Sequence, residues 1–545
     1  VLPWPASSSR ALVALLTVTG FAVVLGLAGC GGGSAGSRRT GEPAPKAAGF
    51  GPRGHPGYRW LVRTGGPPPS IAAENRQPGT HAWRLPGPAA EIGGRARGAV
   101  TGYVARPSVL PGQVERIYAS APGARRMKIT VFRIGWYHGR GGRAVLQTGW
   151  LRVAPQPGCR HSFTSGLTRC DWRPTLSFVV PSALASGVYI AKLSTSAAAR
   201  DCLFVVRART TTPLLVQVPT ATYQAYNAWG GDSLYPGGAF RVGLTGTSQG
   251  TAVSYDRPYD SQNGAGQFFA RDVAMVRFLE RYGYPISYTT SESVDADPAQ
   301  VRHHRALIDI GHSEYWSVRQ ERTFARALHS GTSLLFFSSD LLAEPVRYVR
   351  TGALGAAATG PTIVAQGGPA AGRGGVARGD RFRRRSARLT GSAYLGCITP
   401  RLPGFGPPVY HYYGWSPAPA LKPAWLFRGT GIRRGTTIRG IVGYELDART
   451  SASPRGTRVI GGGSAPCMSA GPFSSRDMVP GAGGNTAQST LYTTRSGAIV
   501  FSAGTLGWEL GLEPVPSASP DAPRAPEGRL VAITRNLLRH VLRVH

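Results

Sequence analysis

The sequence predicts an α/β plus all-β protein: an N-terminal β-sandwich over residues 71–208, then a doubly wound parallel sheet over 209–545. Three observations lead there. Short runs rich in Val, Ile, Tyr, Phe and Thr alternate with turn clusters in the first part. Continuous apolar runs alternate with helical periodicities in the second. Between about residues 352 and 497 that alternation breaks into Gly/Pro-rich pieces and short β runs, read as a β-rich insertion. A chain of 545 residues with 42% hydrophobic side chains has room for two or three cored domains and is not disordered as a whole.

The first element is a leader. "SSSRALVALLTVTGFAVVLGLAGC" places one arginine before an apolar stretch and small residues before Cys30, the layout of a signal peptide. "LAGC" resembles a bacterial lipobox, so residues 1–30 are expected to be a lipoprotein signal peptide with Cys30 lipidated. A plain transmembrane anchor is the alternative, but "GCGGGSAGS" has the composition of a flexible tether. Residues 31–70, rich in Gly, Pro and Ala, are read as that tether. The working part is expected outside the cytoplasm, anchored to the cell membrane.

Charge narrows the partners. Lysine stands only at 46, 128, 192 and 422, so nearly all of the 62 basic residues are arginine, against 27 acidic ones. The formal +35 favours an anionic envelope surface. No nucleic-acid motif accompanies the arginines, which are spread along the chain, so nucleic acid is not the expected partner.

The sandwich strands are read from "GAVTGYVA", "QVERIYAS", "RMKITVFRIGWY", "TLSFVVP" and "GVYIAKLS". Outside the cell disulfides are permitted. Cys159 and Cys170 bracket a loop and form one candidate pair; Cys397 with Cys467 is a second, and Cys202 is left over. No cysteine or histidine cluster has zinc spacing.

In the α/β part, "PLLVQVP", "ALIDIG", "SLLFFSS" and "AIVFSAG" read as strands buried on both faces. "FFARDVAMVRFLERYG" and "SVRQERTFARALHSG" read as amphipathic helices ending at Gly283 and Gly331, and "RLVAITRNLLRHVLRV" closes the chain. Ligands of open parallel sheets gather beyond the carboxyl ends of the strands. "YQAYNAWGGDSLY", "GHSEYW" and "SSD" fall at such ends, with "SYDRPYD" in a loop between the first two.

A serine-hydrolase elbow is absent from these turns, and "GHSEYW" lacks the cysteine nucleophile of a glutamine amidotransferase. The remaining phenols, carboxylate and imidazole suit a hard metal ion. "AYNAWGGDSLY", "DRPY" and "GHSEYW", in that order, resemble the large (β) subunit of N,N-dimethylformamidase, as do "ENRQPGTHAW", "FRIGWYHG", "GIVGYELD" and "SGAIVFSAGTLGWELGL". The resemblance implies a glutamine-amidotransferase-like sheet and a mononuclear ferric centre held by two tyrosinates and a glutamate. Carried over, the metal ligands are Tyr226, Tyr259 and Glu314, with Tyr223 and Tyr255 as rival phenols; another divalent or trivalent metal is left open. His312 is the expected acid/base group and Asn227 a polar contact for substrate or water. Asp340 departs from the family, whose members often have asparagine there.

The activity implied is hydrolysis of a C–N bond in a small amide or formamide at the cell envelope. Partners expected are that substrate, the membrane through Cys30, and a small second subunit or another copy of the chain. The competing reading is a non-catalytic envelope- or glycan-binding lipoprotein on the same fold.

Overall fold

The computed structural model describes residues 57–85, 100–235, 249–349, 360–366, 375–400, 410–467, 485–515 and 519–543. The leader, Cys30 and most of the expected tether lie outside the described residues. The tether expectation is corrected at its far end: Tyr58–Trp60 is a strand, antiparallel to Gly142–Thr148. Both aromatic rings pack edge-on against Phe178, which gives this short segment a reason to order.

Two sheets then share one core. The larger runs Tyr58–Trp60, Gly142–Thr148, Arg126–Ile134, Gly187–Ser194, Ala199–Val206 and Ser108–Val109; the smaller runs Leu176–Val179, Val114–Ser120 and Thr101–Val104. Alternate residues such as Ile117, Ile129, Val131, Leu193 and Phe204 point between them, as a two-sheet core requires. The Cys159–Cys170 and Cys397–Cys467 disulfides are both made, and Cys202 is buried and free.

The second part is built on a nine-stranded sheet. Its five parallel strands lie in the order Ile286–Thr290, Leu214–Val218, Ala306–Ile310, Ser333–Phe337, Ile499–Ser502, so the second in sequence flanks the first on one side and the third on the other. Their side chains divide between two cores. Val216, Ile308 and Phe501 pack with the helices Asp272–Arg281 and Gly528–Arg543, whereas Leu215, Leu307 and Val500 pack with Val318–His329. Burial on both faces explains the unbroken apolar runs. Ser317 caps Val318–His329 by accepting from the Gln320 N–H at 2.9 Å.

The segment expected as an insertion extends this sheet. Thr486–Thr493, Arg458–Ser464, Tyr413–Pro417 and Ile438–Val442 continue it with antiparallel pairing beyond the last parallel strand, covering an edge that would otherwise offer unpaired backbone groups. It also contributes the 16-residue helix Gly375–Thr390, so it is not purely β. A four-stranded sheet of Ala252–Ser254, Thr362–Ala365, Glu344–Val349 and Tyr315–Ser317 lies alongside.

The two expected domains are one compact unit, residues 52–545. Arg133, on a strand of the first part, makes paired bonds of 2.7 and 2.8 Å to Glu280 on the helix Asp272–Arg281, and neither side chain is more than 1% exposed. Among the described residues no helix is long and apolar enough to cross a membrane.

Candidate metal centre

Three turns at the carboxyl ends of the parallel strands meet where the strand order reverses, the usual position for a ligand in such sheets. The first strand leads through Pro219 into the helix Thr220–Tyr226, which ends with the Tyr226 ring. The third strand is followed by Gly311, at φ +67°, where a Cβ would stand 2.1 Å from Asp272 Oδ1. Only glycine fits that turn, and it delivers His312 and Glu314. The backbone N–H groups of Glu314 and Tyr315 both donate to Thr222 Oγ1, at 3.1 Å each, tying the turn to the helix.

After the fourth strand, Asp340 takes a left-handed conformation, φ +53°, which aspartate tolerates better than most residues. Asp447 holds it there: its Oδ1 accepts from the Asp340 N–H at 2.7 Å and from Ser339 Oγ at 2.8 Å. Asp447 and Glu445 belong to the strand Glu445–Ala448, paired antiparallel with Ala393–Ile398.

The side chains converge. Tyr226 Oη donates to Glu314 Oε2 at 2.6 Å. His312 Nε2 is 3.6 Å from the same oxygen and 3.0 Å from Glu445 Oε2. The approach of His312 Nε2 to Glu445 Oε2 is not aligned as a hydrogen bond, and both atoms are buried without such a partner, as is Asp340 Oδ1. His312 Nδ1 faces Gln267 Oε1 at 3.2 Å; donation there leaves a lone pair on Nε2. Donor atoms of His312, Glu314 and Asp340 lie within 4.8 Å of one another.

All four groups are buried, with exposures of 0% for His312, 5% for Glu314, 4% for Asp340 and 4% for Glu445. Burial pushes the Glu314 carboxyl well above the usual range, and the charges of Glu445 and Glu344 push it further. Asp340 is raised in the same way, by burial and then by Glu314 and Glu445. Arg383 opposes both shifts. A cluster so rich in negative charge, with unpartnered oxygen and nitrogen donors facing one another, fits a hard cation.

Of the residues expected from the sequence, the fold brings together Tyr226, Glu314 and His312. Tyr259 goes elsewhere: its ring packs 6.4 Å from that of Tyr223, in a recess with Tyr255, Arg257, Thr220 and Gln224. In the same loop the Arg257 guanidinium donates to the backbone carbonyls of Asn227, Trp229 and Asp232, tying the loop to the segment after Tyr226. The rival Tyr223 donates to Asp272, and Tyr255 packs with Val253 and Ile363. The ring contact described for Tyr259 is thus with Tyr223 and not with Tyr226.

Asn227 is also corrected. Its Nδ2 donates to Gln224 Oε1 and Pro258 O at 2.6 and 2.9 Å, and its Oδ1 accepts from the Trp229 and Asp260 N–H groups, both at 3.1 Å. Those four bonds use its full capacity, so it shapes the loop and does not reach for substrate. Glu445 and Tyr235 were missed. Tyr235 stacks on Tyr226 with ring centroids 4.7 Å apart. Glu445 had a signal: with only 27 acidic residues in the chain, a glutamate inside the apolar run "GIVGYELD" is a conspicuous buried charge.

Residues 128–522 match the family model described as N,N-dimethylformamidase beta subunit-like, C-terminal. The chain belongs to that family. Membership points to amide hydrolysis as the class of activity. No curated protein sequence matches the chain. A carbohydrate acetylesterase from Xanthomonas citri is 11% identical, matched over 64% of this chain and 89% of that one, with a TM-score of 0.12; a likeness so slight carries no argument about the fold or chemistry of this dimethylformamidase-like chain.

Proposed function

We propose that this chain is a metal-dependent amidohydrolase that cleaves the C–N bond of a small amide or formamide. The observation that carries the reading is the meeting of His312, Glu314, Asp340 and Glu445, buried, with three of their donor atoms unpartnered, at the rim where the strand order reverses. His312, Glu314 and Asp340 would hold the cation; iron is the one expected from the family, on a donor set different from two tyrosinates. A hard cation bound there would polarise the amide carbonyl and acidify water beside it.

The protein's own groups account for the proton traffic. Glu445 Oε2, 3.0 Å from His312 Nε2 and outside the set that would hold the cation, can take a proton from the attacking water and pass it to the amine nitrogen as the C–N bond breaks and a C–O bond forms. Tyr226 fixes the orientation of Glu314 through its hydrogen bond, and Asp447 holds the Asp340 turn. The stacked rings of Tyr226 with Tyr235 and of Tyr410 with Tyr444 give the site apolar walls, which limit water and strengthen electrostatic contacts.

The test measures metal content and hydrolysis of a panel of small amides by the purified full chain, before and after chelation. Bound metal and chelator-sensitive C–N cleavage, both lost in Glu314→Gln, are the expected result. A metal-replete protein that cleaves none of the panel would sink the reading. Display at the envelope through Cys30 belongs to the same proposal, supported by the "LAGC" motif; fatty-acid labelling lost in Cys30→Ala is its check.

A further inference from the structure

Arg271 precedes the helix Asp272–Arg281 and is 8% exposed. Its guanidinium lies 5.0 Å from the centroid of the Tyr444 ring, and that ring is 6.2 Å from the His312 ring. Arg271 Nε and Nη1 are buried and have no hydrogen-bond partner. Arg133 and Arg257, also deeply buried, direct their terminal nitrogens to acceptors, Arg133 to Glu280 and the Ser186 carbonyl and Arg257 to three backbone carbonyls. Arg200 shares with Arg271 an unpartnered Nη1, but Arg271 is the one that stands across the Tyr444 ring from His312. Asp272 and Glu445 influence Arg271 electrostatically, yet neither accepts from these two atoms. A buried guanidinium with unused donors is costly unless an acceptor arrives.

We propose that Arg271 receives a carboxylate of the substrate, so that the preferred substrates are amides carrying a carboxylate, such as N-acylated amino acids, and not neutral dialkylamides. The inference rests on the amidohydrolase reading above and names its substrate class. A carboxylate accepts two parallel N–H bonds from the planar guanidinium fork. The fork lies 5.0 Å from the Tyr444 centroid and the His312 ring 6.2 Å from it, a span that the carboxylate, one residue and the amide carbonyl of an N-acylated amino acid can bridge together with their contact distances. A ligand anchored at Arg271 would thus place its amide group near His312 and Glu445, while its anion stays on the side of Tyr444 away from Glu314 and Asp340.

Calorimetric titration of the metal-loaded full chain with N-formylglycine and N-formylglycinamide tests this without any variant. The acid should bind roughly tenfold or more tighter than its amide. Arg271→Gln should abolish that preference, and Arg271→Lys, which keeps the charge but loses the fork, should retain part of it. Equal binding of acid and amide by the wild type, or an acid preference unchanged in Arg271→Gln, overturns the inference. An acid preference that depends on Arg271, without cleavage of N-formylglycine or of N-methylformamide, supports the anion site and counts against the hydrolase reading instead.

Discussion

Tyr226 Oη and Glu314 Oε2 are 2.6 Å apart, and the same carboxylate oxygen stands 3.6 Å from His312 Nε2. One glutamate oxygen therefore accepts from a phenol on one side and faces an unpartnered imidazole nitrogen on the other. Burial and then the Glu314 charge hold the Tyr226 phenol well above its ordinary pKa, which matches its role as hydrogen-bond donor to Glu314 in this structure.

Tyr226 and Tyr259 should consequently behave differently. Tyr226→Phe loses the bond to Glu314, costs about 1 kcal/mol of stability, and weakens metal binding roughly 10–100-fold, as loss of a group supporting a ligand does. Tyr259→Phe leaves metal affinity unchanged. Metal titration with thermal melts of both variants is the check, and equal losses of affinity would restore Tyr259 as a ligand.

Glu445→Gln keeps the shape of the side chain and removes its ability to carry a proton. Amide hydrolysis should fall by about 10²–10⁴ in kcat, with a smaller change in KM. Asp447→Asn acts only through the Asp340 turn and should cost less. Steady-state kinetics on the best substrate decides, and an unimpaired Glu445→Gln would remove that residue from the proton path.

The Arg133–Glu280 pair joins the two halves of the molecule with both charges buried. Glu280→Gln strands the guanidinium and should destabilise the fold by about 3–5 kcal/mol. Replacing both, as Arg133→Met with Glu280→Leu, should recover the part of that loss that belongs to the unpaired charge, while the Asn75 and Tyr288 donors that Glu280 also accepts from keep the recovery partial. Urea unfolding of the single and double variants measures the difference.

Glu115 lies in the sandwich core with 0% exposure. Its Oε1 accepts from the Arg116 and Arg106 N–H groups at 2.9 and 3.3 Å, while Oε2 has no hydrogen-bond partner. Burial raises its carboxyl to about 8 from the ordinary 4.5. The folded chain then keeps a proton that the unfolded chain releases above about 4.5. The stability from that proton is complete below 4.5 and is lost as pH rises through about 8. Glu115→Gln should flatten the fall of melting temperature across this window, and an unchanged slope would assign the pH dependence to other carboxyls.

Much of the parallel sheet was legible because its signal is local. "PLLVQVP", "ALIDIG", "SLLFF" and "AIVFSAG" all became parallel strands of one sheet, since a strand buried on both faces must be apolar at successive positions. His312 and Glu314 were legible for a related reason, as polar residues directly after such a strand. The surroundings of Tyr259 were not, because its loop is placed by contacts between distant segments, such as those of Arg257 with the Asn227, Trp229 and Asp232 carbonyls.

From the sequence alone came the apolar strands, the helices that end at Gly283 and Gly331, and the rim on which chemistry would gather, all consequences of periodicity and turn chemistry within short windows. The tertiary structure alone decided that Glu445 and Asp340 join His312 and Glu314 while Tyr259 does not. That choice depends on which loops the sheet order makes neighbours and which buried charges can be satisfied there, and neither is encoded in any one segment.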